Sequence, residues 1–390
     1  MTNKQVNITI ITPFFFPEPI STGKFNTEMA LALKERGHKV KVLCFHPFYP
    51  SWKIQKSTES LEGIEIIRGG KFLKFTTNAT IRRVILELSF TFFLLRNISK
   101  LRGNTDIIIP VFPPSLGFLV AKLFLKKKTQ KVGMVHDLQE IYANQKKSLL
   151  SKIISKSIHF VEKGCYQSCD SLIFLSQEMK DTAQEIYKLS PSKLRVQYPF
   201  ITIDSESNTN DLEEILPATF KHIVYSGALG EKQYPKGLYE LFDFCSKSID
   251  GVMFHVFSQG SYFEELKEQN NNDKIKFHPL VPKKNIEELY RRSYVQVVPQ
   301  LPGTSKGSLP SKLPNLLVSG VNVVCITDQG SEIEELFKKN NFKTIITSWD
   351  REKIKDIFET LLQQEKRNEN QIEISKNLFL IDSMIDKILN

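Results

Sequence analysis

Residues 294–327, YVQVVPQLPGTSKGSLPSKLPNLLVSGVNVVCIT, decide how this chain is read. An apolar run at 294–299 ends in a glycine-bearing loop, a helix opens at Pro310, Ser311 and Lys312, and a second apolar run follows at 321–327. Strand, loop, helix, strand is the order of a parallel α/β unit. Pro314 agrees, because proline is tolerated in the first turn of a helix and not beyond it. A helix start presents unpaired N–H groups and a partial positive charge. A lysine among such amides favours an anionic ligand. The plainer reading is a loop that caps an ordinary α/β unit.

A second loop of the same kind lies upstream. Residues 222–225 form a short apolar strand, followed by Ser226, Gly227, Ala228, Leu229, Gly230, Glu231, Lys232 and Gln233, and then a helix over 237–246. Glycines after a strand let backbone approach a ligand closely, and Lys232 stands just past the turn. Gly227 and Gly230 do not complete a G-x-G-x-x-G spacing, and the chain contains no G-x-x-x-x-G-K-[ST]. Two lysine-bearing loops in one α/β half predict a diphosphate ligand. At surface-like dielectric a lysine beside a phosphate gains about 4 kcal/mol of Coulomb energy before desolvation.

Working outward, strands are expected at 253–258 and 275–277 in the same half. In the first half they are expected at 7–12, 39–45, 106–111, 132–135 and 171–175, with helices at 26–36 and 180–189 between them. The polar stretch 201–217, with Asp204, Ser205, Glu206, Ser207 and Asn208, reads as a linker. The expected organisation is therefore 1–203 as one doubly wound α/β domain, 204–218 as linker, 219–368 as a second, and 369–390 as a closing helical segment. In such sheets ligands sit beyond the carboxyl ends of the strands, in a cleft between the two domains here.

Charge is divided unevenly. Residues 1–200 carry 30 Lys+Arg against 15 Asp+Glu, whereas the remainder is acidic on balance, so the first domain is expected to face an anionic surface. The chain shows no recognition helix, zinc-finger spacing or aromatic RNA-binding consensus, which argues against nucleic acid. Within the basic half, 84–95 is almost wholly apolar and is flanked by Arg82 and Arg83 on one side and Lys100 and Arg102 on the other. Two readings stand for it: a helix in a membrane interface, aided by Lys126, Lys127 and Lys128, or a buried helix with snorkelling ends. The apolar run 8–16 is short and broken by Pro13, unlike a secretory signal. Five cysteines without a C-x-x-C fit a reducing cytoplasm; Cys165 and Cys169 share a helical face near His159 and read as small hydrophobes before a metal pair.

Taken in order, several motifs resemble family-4 glycosyltransferases, of the branch that builds colanic-acid-type exopolysaccharides. In the first half these are Phe16-Pro17-Glu18-Pro19 with Gly23, Glu35-Arg36-Gly37-His38, and Pro47-Phe48-Tyr49-Pro50. In the second they are Ser226-Gly227 through Lys232-Gln233, Gln259-Gly260, and Pro310-Ser311-Lys312-Leu313 with Ser319-Gly320. The resemblance spans nearly the whole chain. It implies the GT-B fold, two Rossmann-like domains with the nucleotide-sugar donor held mainly by the second and the acceptor by the first. It further implies a closing helix that crosses back to the first domain.

Carried onto this sequence, the resemblance gives Lys232 and Lys312 to the donor diphosphate, with Gly227 and the amides of Ser311 and Leu313. Gln259, Gly260 and Val281 fall to base and ribose, and Gly23 to closure of the first-domain loop. His136 and Asp137 fall beside the transferring sugar; read without the resemblance, His136 is a strand-end histidine bonded to its neighbours. Glu18, Arg82, Arg83 and Lys126–Lys128 would serve the acceptor and membrane. Two departures stand out: Ala228 replaces a common arginine, and Gly307 and Asn315 replace a pair of glutamates. Asn315 keeps the capacity to bond a ribose hydroxyl.

The implied chemistry is retaining transfer without metal or other cofactor, and no D-x-D triplet occurs. The expected acceptor is a lipid-linked saccharide or oligosaccharide, used in capsule, lipopolysaccharide or exopolysaccharide synthesis by a cytoplasmic enzyme peripheral to the inner face of the membrane. The alternatives are a non-catalytic sugar-nucleotide-binding scaffold and a sugar-nucleotide epimerase.

Overall fold

The computed structural model describes residues 5–18, 20–49, 51–138, 149–203, 209–305 and 309–390. The alternating apolar runs resolve into two parallel sheets, each within its own unit: Met1–Tyr198 with Ile381–Asn390, and Pro199–Leu380.

In the first unit the strands are β1 (Asn7–Ile11), β2 (Lys39–Phe45), β3 (Ile64–Gly69), β4 (Ile107–Phe112), β5 (Gln130–Val135), β6 (Ser171–Phe174) and β7 (Leu194–Val196). Their order is β3-β2-β1-β4-β5-β6-β7, every neighbouring pair parallel. Every residue of β4 is buried, which is why it reads as an unbroken apolar run rather than an alternation. The helices are α1 (Ser21–Glu35), α2 (Ala79–Arg96), α3 (Ile98–Arg102), α4 (Leu116–Ala121), α5 (Leu149–Ser168) and α6 (Gln177–Tyr187). Asn78 caps α2 by accepting from the N–H groups of Thr80 and Ile81, and Ser176 caps α6 through Met179, each cap contributing about 1 kcal/mol.

The second unit repeats the plan with β8 (Lys221–Ser226), β9 (Val252–Phe257), β10 (Ile275–His278), β11 (Val295–Pro299), β12 (Asn322–Ile326) and β13 (Ile345–Ile346), ordered β10-β9-β8-β11-β12-β13. Its helices are α7 (Pro235–Ser246), α8 (Ser261–Gln269), α9 (Ile286–Arg292), α10 (Leu313–Val318), α11 (Glu332–Lys339), α12 (Arg351–Leu362) and α13 (Glu369–Leu378). Ile223, Tyr225, Phe242, Phe254, Val297 and Phe358 pack into one core beneath α7, α8 and α12. The strand order reverses between β8 and β11, which lie side by side. The two lysine-bearing loops leave these two strands, so both emerge at the switch point where such sheets bind ligands.

Three findings correct the sequence reading. The first unit ends at Tyr198, and the closing segment 369–390 divides: α13 belongs to the second unit, while α14 (Ile381–Leu389) packs in the first. There Arg36, the residue just past α1, pairs with Asp382 at 2.8 Å and with Asp386. The supposed linker is anchored where it is described. Thr209 Oγ1 and the N–H groups of Asp211 and Leu212 donate to the buried Glu288 carboxylate at 2.8, 2.9 and 3.0 Å; residues 204–208 lie outside the described residues. Finally, α1 starts at Ser21 rather than 26, so Gly23 sits inside its first turn.

Most of the segment 82–102 lies on α2, whose two faces differ. One face of α2 is core, with Leu86, Phe90 and Leu94 buried and Phe90 meeting Phe45 edge-on at 5.2 Å. Glu87, polar within the apolar run, accepts from the N–H groups of Ser115 and Leu116 at the start of α4, at 3.1 and 2.9 Å. The opposite face carries Ile81, Val84, Leu88, Phe92 and Leu95, all exposed at three- and four-residue spacing. Among the described residues no helix is long and apolar enough to cross a membrane.

Candidate active site

The two lysine-bearing loops meet beyond β8 and β11. Lys312, the residue before α10, turns its ammonium down to the end of β8, where Nζ donates to the Ser226 carbonyl at 3.0 Å. The ring of Tyr225 lies 4.1 Å from the same nitrogen, and burial pushes the Lys312 ammonium down to about 7. A group so poised gains most from an anion that restores its charge. Gly227 has φ +132°, and a Cβ placed on it would lie 4.0 Å from Lys312 Nζ. That backbone conformation is one L-residues rarely adopt, which accounts for glycine here.

Lys232 lies on the exposed rim of the first loop, and its carbonyl accepts the N–H of Leu301 in the second at 2.8 Å. The backbone of one loop thus ties directly to the other. A brace continues outward: Trp349 Nε1 donates to the Gln300 carbonyl at 3.1 Å, and the Trp349 ring meets Tyr234 edge-on at 4.9 Å. The Asp328 carboxylate accepts from the N–H groups of Gly303 (2.8 Å) and Ser305 (3.2 Å) and thereby fixes the loop after β11. Those hydrogen bonds hold its pKa below the usual carboxylate range against the cost of burial.

The amide inventory differs from expectation. Among the described residues, the N–H groups of Ala228, Leu229, Ser311 and Lys312 meet no acceptor, so they are available to an anion. The N–H of Gly227 is committed to the Phe257 carbonyl at 3.0 Å and that of Leu313 to Pro310 at 3.0 Å, so neither serves a phosphate in this conformation. Asn315 is likewise engaged: its Oδ1 accepts from Thr202 N–H at 2.8 Å and its Nδ2 donates to Thr202 Oγ1 at 3.0 Å. The side chain expected on a ribose instead pins residue 202. Gly307 lies outside the described residues. Gln259 and Gly260 follow β9 on the exposed rim, and half-buried Val281 follows β10, so all three stand at the carboxyl ends of their strands.

In the first unit, His136 leaves the end of β5 with its N–H donated to Phe112 at 2.9 Å, and its ring lies 6.3 Å from that of Phe25. Burial pushes it down to about 4, so it is a neutral imidazole at neutral pH. Asp137 follows, half-buried.

Glu18 is not a presented carboxylate. It is 3 % exposed and accepts from the N–H groups of Phe48 at 3.0 Å and Tyr49 at 2.6 Å, and burial raises it to about 7 against the pull of those bonds and Arg68. Gly23 lies directly beneath it: a Cβ there would stand 2.9 Å from Glu18 Cβ and 3.0 Å from its carbonyl oxygen, so only glycine fits. Glu18 therefore positions the loop after β2 rather than meeting a membrane or acceptor itself.

Arg82 stacks on Trp52 with its guanidinium carbon 3.9 Å from the ring centroid, whereas Arg83 is exposed. Lys126 donates to the Gly103 carbonyl at 2.9 Å, beside exposed Lys127 and Lys128. Sequence reasoning missed Tyr225, Trp349, Asp328 and a row of three histidines across β8–β10. The position of Asp328 just past β12 was the available signal.

Two doubly wound parallel units, with paired amide-and-lysine loops at the switch point of the second, define the class of GT-B proteins. Solved structures that the chain resembles share this fold. They include sucrose-phosphate synthase from Thermosynechococcus elongatus (TM-score 0.73, 14 % identity, covering 98 % of this chain and 97 % of that one). WaaG, a glycosyltransferase involved in lipopolysaccharide biosynthesis, gives 0.70 at 15 % identity over 98 % and 99 %. A structure described as trehalose-6-phosphate from E. coli bound with UDP-2-fluoro glucose gives 0.65 at 10 % identity over 98 % and 99 %.

Residues 22–205 match Glycosyltransferase Family 4 and residues 208–378 match Glycosyl transferases group 1. The chain belongs to the family-4 GT-B glycosyltransferases. It is also 25 % identical over 349 residues, 83 % of each chain, to WcaI of Escherichia coli (strain K12), described as a colanic acid biosynthesis glycosyl transferase.

Proposed function

We propose that the protein transfers a sugar from a nucleoside-diphosphate sugar to a lipid-linked saccharide in the assembly of a cell-surface polysaccharide. The observation that carries the donor half is the meeting of Lys312 with Gly227 at the switch point, with Lys232 and four amides that meet no acceptor among the described residues. A diphosphate there restores the charge of Lys312 and takes N–H bonds that no other described residue uses. As the sugar departs, negative charge grows on the diphosphate, and fixed dipoles and cations aimed at it lower the barrier. The likeness to WcaI, to WaaG and to a structure holding UDP-2-fluoro glucose supports polysaccharide assembly and this donor class.

In this reading the diphosphate is held by the protein's own cations and amides, without a metal. The acceptor hydroxyl attacks on the face the diphosphate leaves, the departing phosphate takes its proton, and the anomeric configuration is retained. Neutral His136 and Asp137 orient the sugars. The test is transfer from a panel of nucleotide sugars to lipid-linked acceptors in vesicles, with the product's anomer read by NMR. A retained anomer, lost with Lys232→Ala in a folded protein, supports the reading; inversion or free-sugar release alone contradicts it.

The lipid half rests on α2. Its exposed apolar stripe runs from Arg82 and Arg83 to Arg96, whose guanidinium carbon stands 5.5 Å from the centre of the Phe92 ring. Phe72, 86 % exposed between Lys71 and Lys74, and Leu123 and Phe124 after α4 are exposed apolar side chains of the same unit. Apolar groups bordered by cations suit the interface of an anionic bilayer. Flotation with anionic vesicles tests it. Binding that falls with salt and is lost in Leu88→Asp/Phe92→Asp supports a membrane surface; equal recovery with and without vesicles contradicts it.

A further inference from the structure

Three histidines on three neighbouring strands form a hydrogen-bonded row in the second unit. His222 on β8, His255 on β9 and His278 at the end of β10 are linked ring to ring: His222 Nδ1 to His255 Nε2 at 3.0 Å, and His255 Nδ1 to His278 Nε2 at 3.0 Å. The row ends at the Pro217 carbonyl, 2.8 Å from His222 Nε2. His255 lies at 2 % and His222 at 2 % exposure, and burial disfavours a charge on each ring of the row.

That terminal carbonyl decides the polarity of the whole row. A carbonyl only accepts, so His222 must carry its hydrogen on Nε2, and neutral His222 then accepts at Nδ1. His255 must in turn donate from Nε2 and accept at Nδ1, and His278 must donate from Nε2. Each neutral ring has a single N–H, so Nδ1 of His278 is left as a bare lone pair. Among the described residues it takes no partner.

The row climbs the sheet as it crosses it. His222 lies opposite Met253, and His278 opposite Phe257, the last residue of β9. The two nitrogens of an imidazole point in nearly opposite directions. With Nε2 directed to His255 further down, Nδ1 of His278 faces the carboxyl rim. At that rim the N–H of Ser258 donates to the His278 carbonyl at 3.0 Å and ties the end of β10 to the residue after β9. Gln259, Gly260 and Val281 follow immediately on the same two strands.

We propose that the histidine row fixes His278 Nδ1 as a hydrogen-bond acceptor for the nucleoside of the donor, and that His222 and His255 are positioning residues that hold this tautomer. The assignment rests on the donor reading above, because the nucleoside is that of the sugar donor. Its chemistry is that of an N–H on the base or an O–H on the ribose.

The test separates nucleoside from diphosphate by titrating the full-length protein with pyrophosphate, UDP, GDP, ADP and CDP, and with the 2′-deoxy form of the tightest binder. His278→Gln keeps a group at the Nε2 position, and so the rung to His255, but removes the Nδ1 acceptor. His278→Asn puts an acceptor back near the Nδ1 position. The expected result is that Gln weakens the preferred nucleoside diphosphate on the order of tenfold, the size of one hydrogen bond, while pyrophosphate binds as in wild type. Asn retains most of the affinity, and 15N spectra of the free protein show three Nε2–H rings. If the loss in the Gln variant shrinks with the 2′-deoxy ligand, the hydrogen comes from the ribose; if it persists, from the base.

An unchanged ratio of nucleoside diphosphate to pyrophosphate affinity in His278→Gln overturns the proposal and leaves the donor reading standing. Failure of pyrophosphate and every nucleotide to bind the wild type overturns both.

Discussion

Lys312 Nζ donates to the Ser226 carbonyl at 3.0 Å, so the lysine of one loop is held at the root of the other. Enclosed there, its ammonium is pushed down to about 7. The unfolded chain, with an ordinary lysine, binds more protons between pH 7 and the usual lysine range, so this group makes stability rise with pH across that window. Diphosphate reverses the preference by favouring the charged form. Donor binding at pH 8 is therefore expected to take up a proton, and affinity to fall as pH rises above 7. Calorimetry in buffers of different ionisation enthalpy reads the uptake directly. Lys312→Met is expected to abolish it and to weaken binding by about 1.5–3 kcal/mol, the range for a charge-assisted bond.

Gly227→Ala tests the backbone of the first loop. At φ +132° an L-residue is strained, while the added methyl meets Lys312 at ordinary contact distance. The expected cost is about 1–3 kcal/mol of stability from the backbone alone, with loss of transfer, read by denaturant unfolding and by the donor assay. Full stability and activity would show that the loop adopts another conformation.

Glu18→Gln is expected to stabilise the first unit above neutral pH. Burial holds the Glu18 carboxyl at about 7, so the folded state binds more protons than the unfolded between the usual carboxylate range and pH 7. Its contribution is greatest at acid pH and is lost as pH rises through 7. Glutamine can accept the same two N–H bonds without the charge. Thermal unfolding from pH 5 to 9 should show a flatter profile for the variant; parallel profiles contradict the assignment.

Asp328→Ala releases the N–H groups of Gly303 and Ser305 and with them the loop that meets Lys232. Transfer is expected to fall on the order of tenfold with donor KM raised, about the effect of loosening one hydrogen-bonded clamp. The Asp328 contribution to stability is present at neutral pH and is lost as pH falls through its depressed pKa.

Much of this was legible in the chain because the second unit announces its switch point twice. The apolar runs of β8 and β11 each end in glycine and lysine, and the structure sets those strands side by side. β7 and β13 were hidden because three- and two-residue edge strands carry no periodicity, and β3 because only six residues follow a long polar stretch.

The commitments of Asn315, Leu313 and Glu18 were not legible for a common reason. Sequence shows which groups can bond a ligand, but not which are already committed to Thr202, Pro310 or Phe48. The histidine row was invisible because its members sit 33 and 23 residues apart and only strand register brings them together.

The central claim is that the second unit binds a nucleoside-diphosphate sugar through Lys312, Lys232 and the amides around Gly227. The most direct measurement is thermal unfolding of wild type and Lys232→Ala against a panel of nucleotide sugars. A ligand at a hundred times its Kd stabilises the native state by about 2.7 kcal/mol. The account predicts one selective nucleotide sugar that raises Tm in wild type and loses most of that effect in the variant. Equal shifts in both proteins, or none with any nucleotide sugar, would contradict it.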